Sequence, residues 1–354
     1  MESQILQTHE TQDEQGICAP MGVAIVTYNS SDVITDCLDS LLDCDHPDLR
    51  IVICDNNSPD DTVETIRSWA MALDCDFTEV VMDGITPPPQ QSLAHVTLLC
   101  SSLNRGFAAG TNAGLATLLP HDEINLFWVL NPDCLVCKGT ALAYAKAATT
   151  APFSLMGGRM IYLDPPNYIQ SDGGRINHWT GICSNVNQGA QPDAVTSPGQ
   201  ATLDYISGGN LVASRAFIEM AGLMTEDYFL YFEEVDWAFR RGSLPLLFCP
   251  KALVYHHGGT SIGSGSFTRR ASGFANYFNY RNRMKFMYRH FPMALPVCYI
   301  YSALKVVKLV MLGAWDEAYG AVCGLHQLPP SKDVRKRLSP EAAAWAFGKG
   351  NEPQ

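Results

Sequence analysis

Short β-branched runs alternate with amphipathic helical stretches through the first third of the chain, and this alternation restricts the fold more than any other feature. Residues 22–28 and 50–54 are apolar and strand-like, and between them Val33, Ile34, Cys37, Leu38, Leu41 and Leu42 recur at helical spacing. A second helix is expected over residues 59–73, with Ser58 as N-cap and Asp60 and Asp61 in the first turn, where the helix dipole favours carboxylates. Residues 95–100 read as another strand, 110–118 as a short helix, and 125–130 as a strongly apolar strand ending at Asn131-Pro132-Asp133. Such alternation implies an α/β fold with a mostly parallel sheet and right-handed crossovers.

Beyond residue 150 the pattern changes to short strands and Gly/Pro/Asn-rich connections at 164–167, 172–174 and 191–199. Helices are expected over 215–221 and 231–242, and strands over 246–249 and 253–256. At 354 residues and 47% hydrophobic, the chain can bury a substantial core. Its formal charge of −12 argues against a nucleic-acid partner held by phosphate neutralisation. The charge is uneven: residues 1–268 hold 11 basic against 31 acidic side chains, whereas 269–354 hold 13 against 5. Only the C-terminal end suits a negatively charged surface.

Residues 1–15 are polar, without the basic and apolar regions of a secretory signal. Most of the 12 cysteines stand singly among apolar neighbours, as reduced core residues do, and a cytoplasmic location is expected. The close pair Cys134 and Cys137 lacks a second pair at zinc-finger spacing and is read as structural.

No Gly-x-Gly-x-x-Gly follows the first strand, which removes the main support for a dinucleotide-binding dehydrogenase. Ligands should still gather at the carboxyl ends of the parallel strands, where this chain places Thr27 and Asn29, then Asp55-Asn56-Asn57, then Asn131-Pro132-Asp133. A strand-end carboxylate can accept from a nucleobase or ribose, and one beside a proline-fixed turn can hold a cation. Taken singly, Asp55 and Asp133 read as turn residues or helix caps.

The ordered set is more specific. Val26-Thr27-Tyr28-Asn29, Asp55-Asn56-Asn57-Ser58, the run from Asn104 to Asn112 and Asn131-Pro132-Asp133 are followed by Ser207-Gly208-Gly209-Asn210, Phe229 to Trp237, His256-His257-Gly258-Gly259-Thr260-Ser261 and Tyr280-Arg281-Asn282-Arg283. Together they resemble the family 2 glycosyltransferases of the GT-A fold, in the bacterial rhamnosyltransferase-like branch, over roughly residues 20–290.

The resemblance implies a nucleoside-diphosphate-sugar donor and a divalent metal, Mg²⁺ or Mn²⁺. The family's metal-binding acid corresponds to Asp133, with Asn131 where many relatives carry the first acid of the pair, and His256 is the candidate second ligand, with His257 its adjacent competitor. Thr27, Asn29, Asp55 and Asn57 are expected to hold the nucleoside. Asn104, Arg105, Gly106 and Asn112 belong to a loop over the donor, and Trp237 to an acceptor platform. Glu233, Glu234 and Asp236 form the acidic cluster, in which Glu234 aligns with the general base of inverting members. On a helix, Glu233 and Asp236 lie three apart and share a face, while Glu234 points elsewhere. A retaining transferase and a catalytically silent sugar-nucleotide or glycan-binding protein are the rival readings.

The expected organisation is an N-terminal tail at residues 1–20, a GT-A domain at 21–290 and a C-terminal helical extension at 291–354. Residues 295–325 are apolar but interrupted by Lys305, Lys308, Asp316 and Glu317, which makes them a poor transmembrane span. The segment reads in two ways. It is either a membrane-interfacial element on the cytosolic face of the inner membrane, meeting a lipid-linked or glycan acceptor, or a subdomain packed on the core or forming a homodimer contact.

Overall fold

The computed structural model describes residues 19–46, 48–82, 87, 92–258 and 270–348. Residues 1–18 of the expected tail at 1–20, the end of the motif at Gly259, Thr260 and Ser261, and residues 349–354 lie outside them.

The first strand, β1 (Met21–Thr27), leads through helix α1 (Ile34–Leu42) to β2 (Leu49–Asp55) and α2 (Thr62–Ala72). Then follow β3 (Phe77–Met82), β4 (Val96–Ser101), α3 (Phe107–Leu118), β5 (Leu126–Leu130), β6 (Cys134–Val136), α4 (Thr140–Ala148), β7 (Leu155–Tyr162), β8 (Ile169–Ser171), β9 (Gly174–Ile176) and β10 (Cys183–Asn185). The second half continues with β11 (Asn210–Ser214), α5 (Arg215–Ala221), α6 (Glu233–Phe239), β12 (Leu247–His256), α7 (Gly273–His290), α8 (Leu295–Met311), α9 (Trp315–Leu325), α10 (Lys332–Arg335) and α11 (Pro340–Phe347).

The main sheet runs β3-β4-β2-β1-β5-β11-β7-β12-β6, with β8 on β7. Strands β3, β4, β2, β1 and β5 are mutually parallel, whereas β11 is antiparallel to both its neighbours. This is the mixed α/β architecture expected. The chain moves outward from β1 on one side and returns to it as β5 on the other. That reversal opens a crevice at the carboxyl ends of β1 and β5, the usual ligand position in such sheets.

Strand pleating divides the core between the two faces of the sheet. Ala24, Val52, Cys54, Phe127 and Val129 pack toward α3, α5 and α6, while Val23, Ile25, Ile51, Ile53, Trp128 and Leu130 pack toward α1, α2 and α4.

Several expected boundaries shift for local reasons. Helix α2 starts at Thr62, because Ser58 gives its backbone and hydroxyl hydrogens to Asp55 and Asp60 accepts from the Thr62 amide. Helix α3 starts three residues earlier than expected, with Gly106 before it at φ 94°. The two strands expected at 246–249 and 253–256 are one strand, β12, whose register against β7 shifts between Cys249 and Leu253. Pro250 lies in that interval and has no N–H for the ladder. Edge strand β3 and the alanine-rich α4 were not expected; β3 buries only Met82 fully, so its sequence lacks a clear apolar face.

The C-terminal helices are joined to the preceding residues rather than standing apart. Phe229, Phe274, Tyr277, Phe278, Val334, Leu338, Ala342 and Ala346 form one apolar cluster. The Arg281 guanidinium donates to the carbonyls of Ala346 and Tyr228, and Arg105 lies 4.8 Å from the Trp345 ring.

Candidate active site

A cavity of about 1010 Å³ opens at the crevice. Its wall includes Asn29, Asn57, Asn104, Gly106, Asn131, Asp133, Glu233, Glu234 and His256 from the expected set. These come from the ends of β1, β2, β5 and β12, from the loop before α3 and from the start of α6.

At the end of β5, Asp133 Oδ1 lies 3.0 Å from His256 Nε2. The other ring nitrogen, Nδ1, is 2.8 Å from Gln170 Oε1, and Asn131 Nδ2 is 3.2 Å from Nε2. With Nδ1–H donating to Gln170, the lone pair of Nε2 and a carboxylate oxygen face one another. Two acceptors at that distance are satisfied by a shared cation, either a proton or a divalent metal. Burial alone would raise the Asp133 carboxyl, but the charge and hydrogen bond of His256 outweigh it and hold it below its ordinary value.

The chemistry of this donor set fits a hard or borderline divalent ion. Cys134 also lies close enough to join the group. Its thiol instead contacts Gly209 O at 3.4 Å, and burial pushes its pKa well up. A protonated, enclosed thiol is a poor ligand for Mg²⁺ or Mn²⁺, so Asp133 and His256 would hold the ion.

Glu233 and Glu234 line the same cavity. Burial raises both carboxyls, and the charge of Glu234 raises Glu233 further. Glu233 Oε2 is buried without a partner, whereas Glu234 is only half-buried. Between this pair and Asn131 runs the Ser207-Gly208-Gly209 turn. A Cβ at Gly208 would meet Glu234 Cβ at 3.5 Å, and one at Gly209 would meet Asn131 Nδ2 at 3.1 Å. The two glycines therefore keep the floor of the cavity low where its two chemical ends approach.

The acids are delivered by a strained loop. Phe229, Tyr231 and Phe232 have φ values of 66°, 68° and 76°, a region that bulky residues seldom enter and that costs about 1–3 kcal/mol each. Long-range bonds hold it. The buried Asn282 amide donates to the carbonyls of Tyr228, Leu230 and Tyr231 at 2.9, 2.6 and 2.9 Å. Phe107 N–H donates to Phe229 O at 2.8 Å, and any side chain at Gly106 would collide with that carbonyl. The Tyr280 to Arg283 motif, given no role from sequence, thus braces the acidic loop.

Six expected residues stand behind the wall rather than on it. Thr27 donates to Asp55 at 2.8 Å, and the Asp55 carboxylate also accepts from Ser58, so this pair shapes the β1 and β2 ends. Arg105 pairs with Glu226 at 2.6 Å, and Asn112 bonds Glu226 and both backbone groups of Met224. Trp237 is fully buried, packs 5.0 Å from Phe217 and donates to Gly222 O.

Asp236 is also turned away, which corrects the expectation that it shares a face with Glu233. Its carboxylate is bound by Thr225, Tyr228, His290 and Arg240. The helix is only two turns long and begins from a left-handed Phe232, so ideal helical spacing does not set the direction of its first acid. Burial would raise the Asp236 carboxyl, but the hydrogen bonds from His290 and Thr225 and the charge of Arg240 hold it low.

Asp236→Ala is therefore expected to cost about 3 kcal/mol of stability at neutral pH, by leaving buried partners unsatisfied. A depressed folded pKa stabilises above the unfolded value, and the contribution is lost as pH falls through the folded one. Denaturant unfolding at pH 7 and at acidic pH measures both effects. The difference between wild type and variant should shrink in acid.

Gln170, Tyr162, Asn185, Tyr205 and the segment from Lys336 to Ser339 also line the cavity and were missed from sequence. Gln170 sits in a three-residue strand, and Lys336 lies about 200 to 310 residues from the strand ends that share the cavity, so no local pattern pointed to either.

Residues 22–162 match the family described as Glycosyl transferase family 2. The match spans about two fifths of the chain and, with the relative below, supports a glycosyltransferase. It is 23% identical over 248 residues to the low-salt glycan biosynthesis hexosyltransferase Agl10 of Haloferax volcanii, covering 67% of this chain and 74% of that one. Among solved structures it resembles the mannosyltransferase PcManGT from Pyrobaculum calidifontis in complex with GDP-Man and Mn²⁺, at 18% identity and a TM-score of 0.46, over 94% of this chain and 86% of that one. It also resembles GalNAc-T7 with UDP, GalNAc and Mn²⁺, at 13% identity and a TM-score of 0.49, over 68% of this chain and 44% of that one.

Proposed function

We propose that the protein is a metal-dependent inverting hexosyltransferase, which moves a sugar from a nucleoside diphosphate to the hydroxyl of a glycan or lipid-linked acceptor. The observation that carries this reading is that Asp133, paired with His256, and Glu234 line one and the same cavity. A bound Mg²⁺ or Mn²⁺ would neutralise the negative charge that grows on the leaving diphosphate.

Asp133 and His256 hold that end of the donor, with His256 oriented by Gln170. Asn29, Asn57 and Asn104 present hydrogen-bonding groups along the nucleoside side, where Thr27 and Asp55 fix the backbone. Glu234, with its carboxyl raised by burial, accepts the proton of the acceptor hydroxyl as it attacks the anomeric carbon in line. Glu233 stays protonated beside it and keeps the charge of the pair to one. Eleven described cysteines are free thiols, in keeping with a cytoplasmic enzyme.

Purified protein should be stabilised by one nucleotide sugar more than by the others, and only with Mn²⁺ or Mg²⁺ present, because a ligand that binds the folded state raises its melting temperature. dTDP-rhamnose heads the panel, with UDP- and GDP-sugars beside it. NMR of the product then reads the anomeric configuration. Retention would replace the inverting reading, and absence of metal-dependent stabilisation and donor turnover across the panel would refute the assignment.

A further inference from the structure

The helix that follows the catalytic half presents a wide apolar face to solvent. Met293, Val297, Ile300, Leu304, Val307 and Met311 recur at spacings of four and three, and fall within about 80° of one another on a helical wheel. They are outward-facing: Met293 is 90% exposed, Leu304 63% and Met311 81%. Exposed Val310 and Tyr299 lie beyond the face on one side, exposed Lys308 borders it on the other, and half-buried Lys305 lies further round toward the buried stripe. Trp315 and Tyr319 extend it into α9, and both are exposed.

Only a narrow inner stripe ties α8 to the protein. Cys298 and Ser302 are buried there, with Arg283 donating to Ser302 Oγ at 3.3 Å. The 20 residues Pro292–Met311 are long enough to cross a bilayer, and their most apolar stretch has a mean hydropathy of 1.5, yet only 22% of that stretch is buried in protein. The lysines within the helix and its packing against α7 and α9 favour lying along a surface over crossing it.

We propose that this outward face docks on an anionic lipid bilayer and that, given the transferase reading above, the acceptor hydroxyl is carried on a lipid. Charge supports the lipid over a second copy of the chain. Helix α8 itself contains no Asp or Glu, and the exposed acid Asp316 lies beyond it at the start of α9, so pairing two copies along α8 would set lysines against lysines. Anionic headgroups answer them, aromatic rims suit the interface, and the apolar arc is broader than a coiled-coil seam. The acidic body, at 11 basic against 31 acidic side chains up to residue 268, is then held off the membrane by its own charge.

The inner side of α8 is also tied to the hairpin that reaches the cavity. Cys298 Sγ of α8 donates to Thr180 O in the turn between β9 and β10, at 3.2 Å. That hairpin ends in Asn185, which lines the cavity with Tyr205 and Glu234. Trp179, at the hairpin tip, is exposed beside the same element. The hairpin thus connects α8 to the cavity wall that Asn185 shares with Glu234.

Flotation of the full chain with vesicles tests the docking. Phosphatidylglycerol-containing vesicles should carry the protein upward at low salt, phosphatidylcholine vesicles should carry much less, and added salt should weaken the binding. The double substitution Leu304→Glu and Val307→Glu, on exposed positions, should lower the bound fraction at least tenfold without changing the melting temperature or the donor turnover measured without vesicles. No flotation at low salt would overturn the proposal, as would a dimer in sedimentation that the same double substitution dissociates. Flotation without turnover of any nucleotide sugar would leave the docking standing and remove the transferase reading and the lipid-borne acceptor with it.

Discussion

Asp133→Ala is expected to lower metal-dependent sugar transfer by about 10³-fold or more, while the protein stays folded with near wild-type stability. Several kilocalories per mole of leaving-group stabilisation pass through a bound divalent ion, and each 1.4 kcal/mol is about tenfold in rate. Asp133 is the only carboxylate beside His256 among the described residues of that wall. Its side chain ends in a cavity and packs little, so removing it takes away few apolar contacts. Two measurements check this: single-turnover transfer with Mn²⁺ titrated in, and the metal-induced shift in melting temperature. Both should vanish together. Undiminished turnover with an unchanged metal response would show that the ion, if used, is held elsewhere.

Glu234→Gln should lower kcat by about 10²–10⁴-fold and leave the donor KM nearly unchanged, as loss of a general base does. The sign of the pH dependence follows from the site. Burial raises the Glu234 carboxyl above the ordinary carboxylate range. The active form is the ionised one, so wild-type kcat should rise with pH through that shifted value, and the glutamine variant should lose this limb. Glu233→Gln should be milder, since its side chain acts in the protonated state. If Glu234→Gln retains full kcat and Asp236→Asn does not, the proton acceptor is misassigned, although the bonds from Thr225, Tyr228, His290 and Arg240 leave Asp236 little freedom for that task.

The readable part of the site was its strand-end chemistry. Asn29, Asn57, Asn131 and Asp133 reach the cavity because parallel strands end at one edge, and β-branched runs mark where those strands stop. The less readable part was direction. Glu233, Glu234 and Asp236 are near neighbours of similar chemistry, yet two face the cavity and one is buried among His290, Arg240, Thr225 and Tyr228. The choice is made by Asn282, some 50 residues away, which holds Tyr228, Leu230 and Tyr231 in a path that helical spacing does not anticipate.

By itself the order of residues determined the alternation of strands and helices, the parallel half of the sheet, and the polar groups at its carboxyl edge. Those features depend on side chains within a few positions of one another, whose spacing matches the period of a strand or helix. Tertiary structure alone decided that Gln170 orients His256, that Lys336 to Ser339 close on the cavity, and that Arg281 bridges α11 to the acidic loop. It also divided the C-terminal segment into parts that pack differently. Helices α10 and α11 bury their apolar residues against α7, while α8 leaves its own in solvent. Both carry apolar residues at helical spacing, so the distinction rests on which face finds a partner, and partners far apart in the chain leave no periodic trace in it.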